Sequence, residues 1–104
     1  MSLPEITPEQ LAKAYILAHP ARVMIIQYLR SKGESYTAKI AAETGLKEHV
    51  VAFHLSVLFE HEFVTRRYGP SEKPIRIVCI FKLESEKVVE AFTPLYLMLT
   101  AKRS

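Results

Sequence analysis

Gly45 separates two segments of unequal length whose apolar residues recur at helical spacing, and this arrangement limits the folds open to the chain more than any other feature. Before it, Thr37 can cap a helix of about two turns that carries Ile40 and Ala41 and stops at the glycine. After it, the segment from about Lys47 to His61 places Val51, Leu55 and Leu58 on one stripe, which predicts a longer helix with that face toward a core. Between the two, Thr44-Gly45-Leu46 forms the turn. A glycine there lets the backbone become left-handed, so the second helix crosses the first without a Cβ clash.

Upstream, Thr7-Pro8-Glu9-Gln10 combines a capping residue, a proline suited to the first helical position and a glutamine that completes a capping box, predicting a helix over 8–18. His19-Pro20 breaks that helix, and His19 helps to start the next. From Pro20 to Lys32, Val23, Ile26, Tyr28 and Leu29 recur at helical spacing, and Gly33 supplies the stop. Downstream, Phe63–Tyr68 and Ile75–Leu83 are rich in β-branched, aromatic and basic residues. They predict two strands joined by a mobile, turn-rich loop, Gly69–Pro74. A last helical segment runs from about Ser85 to Lys102, with Thr93-Pro94 either a kink or a fresh helix start.

The expected fold is mainly α with a small β-hairpin, in one domain over 1–104. At 104 residues, 49% hydrophobic and 24% charged, the chain is suited to one modest core and is far from a disordered composition. No apolar run approaches the roughly 20 residues that cross a bilayer, and the N-terminus lacks the layout of a signal peptide, so a cytoplasmic location is expected. Cys79 is the single cysteine, which rules out an internal disulfide or a thiolate-rich zinc site within one chain. It is in phase with Ile75, Ile77 and Phe81, as expected of a small apolar residue facing a packed surface, with redox sensing as its alternative role. The net charge of +3 is slight, but its distribution is uneven: Arg66, Arg67, Lys73, Arg76 and Lys82 stand against Glu72 alone between Val64 and Leu83.

A short helix, a glycine turn, a longer helix and then a basic hairpin are the ordered parts of a winged helix-turn-helix. At this level the sequence resembles the ArsR-like family of winged-helix regulators, with looser similarity to MarR-like proteins. The resemblance is carried by Ala18-His19-Pro20-Ala21-Arg22-Val23 with Ile26-Gln27-Tyr28-Leu29, by Ile40-Ala41-Ala42-Glu43-Thr44-Gly45-Leu46, and by His54-Leu55-Ser56-Val57-Leu58 leading into Phe63-Val64. It implies a homodimeric, double-stranded-DNA-binding transcriptional regulator; repression is the expected mode, with activation left open by the sequence. The helix-turn-helix would be 37–61, the wing 63–83, and the dimerisation helices 8–18 and 85–102. It also departs from the family's pattern. Lys47 stands where members often have serine or threonine, and Glu62 where they often have glycine. The family's metal-sensing ligands are missing too: 37–42 holds no cysteine and 85–104 no histidine, so neither metal nor another cofactor is expected. Nor do the other histidines suggest one. His49 and His54 lie about 140° apart on their helix, and His54 and His61 about 10.5 Å apart along it.

On the helix over 47–61, His49, Phe53, Ser56 and Glu60 point away from the apolar stripe, with Ala52 at the edge. His49, Phe53 and Ser56 are the candidate base readers; arginine, asparagine and glutamine, the usual partners of guanine and adenine edges, are absent from the set. Phe53 suits either a thymine methyl or another protein. Arg66, Arg67, Lys73 and Arg76 suit phosphate contacts, with Lys39 and Lys47 as extensions of that surface. Phe92-Thr93-Pro94-Leu95-Tyr96-Leu97-Met98-Leu99 is apolar on every side, more than a domain this small can cover. A second copy is the expected partner, through Leu11, Tyr15, Ala18, Phe92, Leu95, Tyr96 and Leu99. The competing reading is a winged-helix module that docks on protein, which Phe53, Phe59 and Glu60 suit. An enzyme is not expected, since no nucleophile lies close to a base and no glycine-rich phosphate loop is present.

Overall fold

The computed structural model describes residues 5–101. In chain order they form α1 (Pro8–Leu17), α2 (Pro20–Lys32), β1 (Ser35–Tyr36), α3 (Thr37–Thr44), α4 (Glu48–Glu60), β2 (Val64–Pro70), β3 (Ile77–Leu83) and α5 (Ser85–Thr100). Residues 1–4 and the predicted extension of the last helix to Lys102 lie outside the described residues.

Capping sets where the first helices begin. The Thr7 hydroxyl accepts from the Gln10 amide at 3.1 Å while the Gln10 side chain accepts from the Thr7 amide at 3.0 Å, the reciprocal box expected from the sequence. His19 caps α2, its Nδ1 accepting from the Ala21 amide at 3.1 Å. The start of α3 differs from expectation. Thr37 lies inside the helix and makes no capping bond, because Ser35 and Tyr36 pair with Phe81 and Ile80 as a short edge strand, holding Tyr36 extended. Two residues are too few for a periodic pattern, so β1 has no signature in the sequence.

The sheet is antiparallel throughout, in the order β1-β3-β2. Its hairpin has about the predicted extent, but the strand ends at the tip are shifted by two residues. Pairing runs from Val64↔Leu83 to Pro70↔Ile77, which moves the loop from Gly69–Pro74 to 71–76 and starts β2 after Phe63 and β3 after Ile75. The tip is tied down by buried Ser71. Its amide donates to the Arg76 carbonyl at 2.8 Å, and its hydroxyl donates to the Pro74 carbonyl at 2.5 Å and accepts from the Arg76 amide at 3.2 Å. At Gly69 a Cβ would sit 2.7 Å from both the Arg67 guanidinium and Ile80 Cδ1, so those two side-chain ends would have to shift to admit one.

Leu17, Ile25, Leu29, Ile40, Val51, Leu55, Leu58, Phe63, Val64 and Phe81 meet in one core. The α4 stripe is the predicted one, with His54 added to its buried side. On α2 the buried row is Ala21, Ile25 and Leu29, an i, i+4 series, while Val23 is exposed and Ile26 and Tyr28 are only partly covered. Several apolar residues on that helix compete for one face, and the neighbouring helices decide which wins. The predicted row on β3 is also shorter than expected: Phe81 is buried and Cys79 half-buried, but Ile75 and Ile77 are exposed because the hairpin extends past the helices that would cover them. Helix α5 continues through Pro94 without a break and packs chiefly on α1. None of its residues is fully buried.

Candidate nucleic-acid interface

The α3–α4 turn has the geometry the glycine implied. Gly45 is left-handed at φ 80°, ψ 2°, and its amide donates to the Ala41 carbonyl at 3.0 Å. The Thr44 hydroxyl returns to the Ile40 carbonyl at 2.7 Å, and the Tyr28 hydroxyl bonds the Glu43 carboxylate, locking α3 to α2. With Val51, Leu55 and Leu58 anchored in the core, α4 turns His49, Ala52, Phe53, Ser56 and Glu60 to solvent, as the wheel predicted. Phe53 is 60% exposed.

Beneath this face lies a polar seat that sequence reasoning missed. The Arg22 Nε donates to His54 Nδ1 at 3.2 Å and its Nη1 to the Ile16 carbonyl at 3.0 Å, while the His19 and His54 rings lie 4.4 Å apart. One arginine therefore ties the end of α1 and the start of α2 to the middle of α4. The His19-Pro20-Ala21-Arg22 sequence held the signal, but its partner is 32 residues away. Burial, and then the neighbouring His19 and Arg22, hold the His54 pKa below its ordinary 6.5. The unfolded chain then binds the proton more readily than the folded one, so stability rises with pH in that window and is lost as pH falls. Urea midpoints should drop as the pH is lowered from about 7 to about 5 and should drop less in His54→Gln; equal slopes would show that this ring does not set the acid response.

The candidate cations of the wing, α3 and the start of α4 fall into three groups. Arg67 Nε and Nη2 donate to the Glu34 carboxylate at 3.2 and 2.7 Å, and Lys39 Nζ pairs with Glu72 at 2.6 Å across the gap between α3 and the wing tip. The pairing holds the Glu34 carboxyl below its usual range and pushes Lys39 and Arg67 upward. The Arg66 guanidinium stacks on the Phe59 ring at 4.0 Å, at the C-terminal end of α4. Adjacent residues of a strand face opposite ways, so Arg66 and Arg67 cannot share one target. Lys47, Lys73 and Arg76 are exposed, and the ion pairs among the described residues do not involve them.

A second surface lies on α1 and α5. Leu11, Tyr15, Phe92, Tyr96 and Leu99 are exposed there, with Ala18 exposed just past the end of α1 and Leu95 half-buried between the helices. Leu97, part of the apolar stretch noted in the sequence, and Val89, which was not, are also exposed on α5. Among the described residues, no three His, Cys, Asp or Glu side chains converge as a metal site would need, and no helix is long and apolar enough to cross a membrane.

Residues 17–67, from the end of α1 into β2, match a family described as a helix-turn-helix domain. No match to the chain is found among curated proteins. Several solved structures share the fold. YodB of Bacillus subtilis is 20% identical, with 90% of each chain covered and a TM-score of 0.68. The transcriptional repressor BigR of Xylella fastidiosa is 22% identical, again with 90% of each chain covered, at 0.61. The homodimeric winged helix-turn-helix DNA-binding domain Mb0332 of Mycobacterium bovis, a possible ArsR-family transcriptional regulator, is 23% identical over 88% of this chain and 79% of that one, at 0.59. The chain thus has the winged helix-turn-helix fold, and its residues 17–67 are similar to the helix-turn-helix domain family.

Proposed function

We propose that the protein is an ArsR-like transcriptional regulator that binds double-stranded DNA as a homodimer and acts as a repressor inside the cell. The observation that carries this reading is the exposed face of α4, anchored from behind by the core, in a chain that also exposes the cations Lys47 at the start of that helix and Lys73 and Arg76 at the wing tip, outside the ion pairs of the described residues. In it, 37–61 reads the major groove, 63–83 rests on the flanking backbone, and 8–18 with 85–102 joins two copies. Catalysis has no part in it.

Salt dependence tests the reading. Each phosphate neutralised contributes about 0.9 to the slope of log affinity against log salt. Lys73→Ala with Arg76→Ala should weaken binding to every duplex by a similar factor and flatten the slope by up to about 1.8, because phosphates carry no direct sequence information. Arg66→Ala with Arg67→Ala should flatten it less, since those side chains already serve Phe59 and Glu34. Titrations of a labelled duplex at several salt concentrations measure all three proteins. A parent that binds no duplex, or binds with no salt dependence, would leave protein docking through Phe53 and Glu60 as the better reading.

A further inference from the structure

We propose that Phe53 reads the C5-methyl group of thymine, so that the sites this protein selects carry thymine opposite the middle of α4. The inference rests on the duplex-binding reading above and deepens it.

Phe53 is central on the exposed face, between His49 one turn before it and Ser56 one turn after, with Ala52 alongside. The face is therefore poor in the forked donors that grip guanine and adenine and unusually rich in apolar surface. A 60% exposed phenylalanine has no core to serve. Its ring lies edge-on to His54 at 5.1 Å, and His54 is in turn bonded by Arg22 and lies tilted beside the His19 ring.

The partner follows from the chemistry of the groove. Base edges in the major groove present donors and acceptors, and thymine alone adds a methyl group, at C5 beside its O4 acceptor. Against cytosine N4 or adenine N6, the ring would displace water from a polar edge and return no hydrogen bond. Against thymine it covers a methyl group. The exposed cations, Lys47 at the start of α4 and Lys73 and Arg76 at the wing tip, suit a polyanion better than an apolar protein surface. Glu60, the one acid on this face, lies two turns further on, about 10.5 Å along the axis.

The test separates the methyl group from every other property of the base. A duplex enriched by the parent protein from a random-sequence pool is synthesised with thymine and again with deoxyuridine, which keeps the pairing and hydrogen-bonding edges and lacks only the methyl. Burying one such group is worth about fourfold in affinity, so a site read by both copies should lose about 15-fold on full substitution, at unchanged salt slope. Substituting one thymine at a time should place the loss at one or two positions per half-site. Phe53→Ala should bind the thymine duplex more weakly and no longer distinguish the two, and Phe53→Leu should keep part of the difference. Because the side chain is exposed, neither change opens a core cavity. Equal affinity of the parent for both duplexes, or full discrimination retained by Phe53→Ala, overturns the proposal while leaving duplex binding intact. A parent that enriches no duplex overturns the reading on which it rests.

Discussion

Replacing Phe63 with alanine should cost about 3–5 kcal/mol of folding stability, a large share of the 5–15 kcal/mol typical of a domain this size. The side chain is fully buried at the junction of four elements. Its amide donates to the Leu58 carbonyl at 2.9 Å, ending α4, and its carbonyl accepts from the Glu84 amide at 2.9 Å, fixing the start of α5. The His61 ring stacks near it at 6.4 Å, and the Lys13 ammonium of α1 lies 5.8 Å from its centroid. The preceding residue, Glu62, is left-handed at φ 64°, a conformation unfavourable for any residue with a Cβ. The chain accepts that strain because the turn delivers Phe63 into the core. Urea titration of Phe63→Ala against Phe53→Ala makes the comparison, since the exposed phenylalanine should change stability by no more than about 0.5 kcal/mol. Similar losses in the two variants would contradict the core described above.

Changing Tyr96 and Leu99 to glutamate together should convert a dimer into a monomer of 11.9 kDa and reduce affinity for duplex DNA by about 10²–10⁴-fold. The motivating fact is that α5, sixteen residues long and largely apolar, buries none of them fully within its own chain. Tyr96 and Leu99 are exposed, so the substitutions place charge on a surface rather than in a core. Leu95 is half-buried, and altering it would confuse loss of the dimer with loss of the fold. Two linked reading heads bind a two-fold site far more tightly than one, because the second engages as an intramolecular event. Sedimentation measures the mass and a labelled duplex the affinity. A parent already at 11.9 kDa would sink the dimer reading, and a dimeric double variant would move the interface off α5.

Much of the candidate interface was legible because it depends on local rules. Val51, Leu55 and Leu58 recur at the spacing of one helical face, so the side turned to solvent, with His49, Phe53 and Ser56, followed from the same periodicity. The wing was legible as a basic hairpin but not as a set of contacts. Arg67 finds Glu34 and Lys39 finds Glu72, each across 33 positions of chain, and no short window of sequence contains both partners. Four cations that look alike in the sequence thereby acquire different roles.

What the sequence by itself determined is whatever a residue enforces on its immediate neighbours. The Thr7–Gln10 box starts α1, Gly33 and Gly45 end α2 and α3 with positive φ, and the α4 stripe dictates which way that helix turns. The tertiary structure decided what depends on competition or on distant partners. Packing chose Ala21, Ile25 and Leu29 over Val23 and Ile26 as the buried face of α2, and pairing with β3 created β1 from two residues that carry no strand signal. It also joined His19, Arg22 and His54 into the seat of the reading helix. Capping and periodicity act within a few residues, whereas burial and hydrogen-bond partners are settled only when segments remote in sequence close on one another.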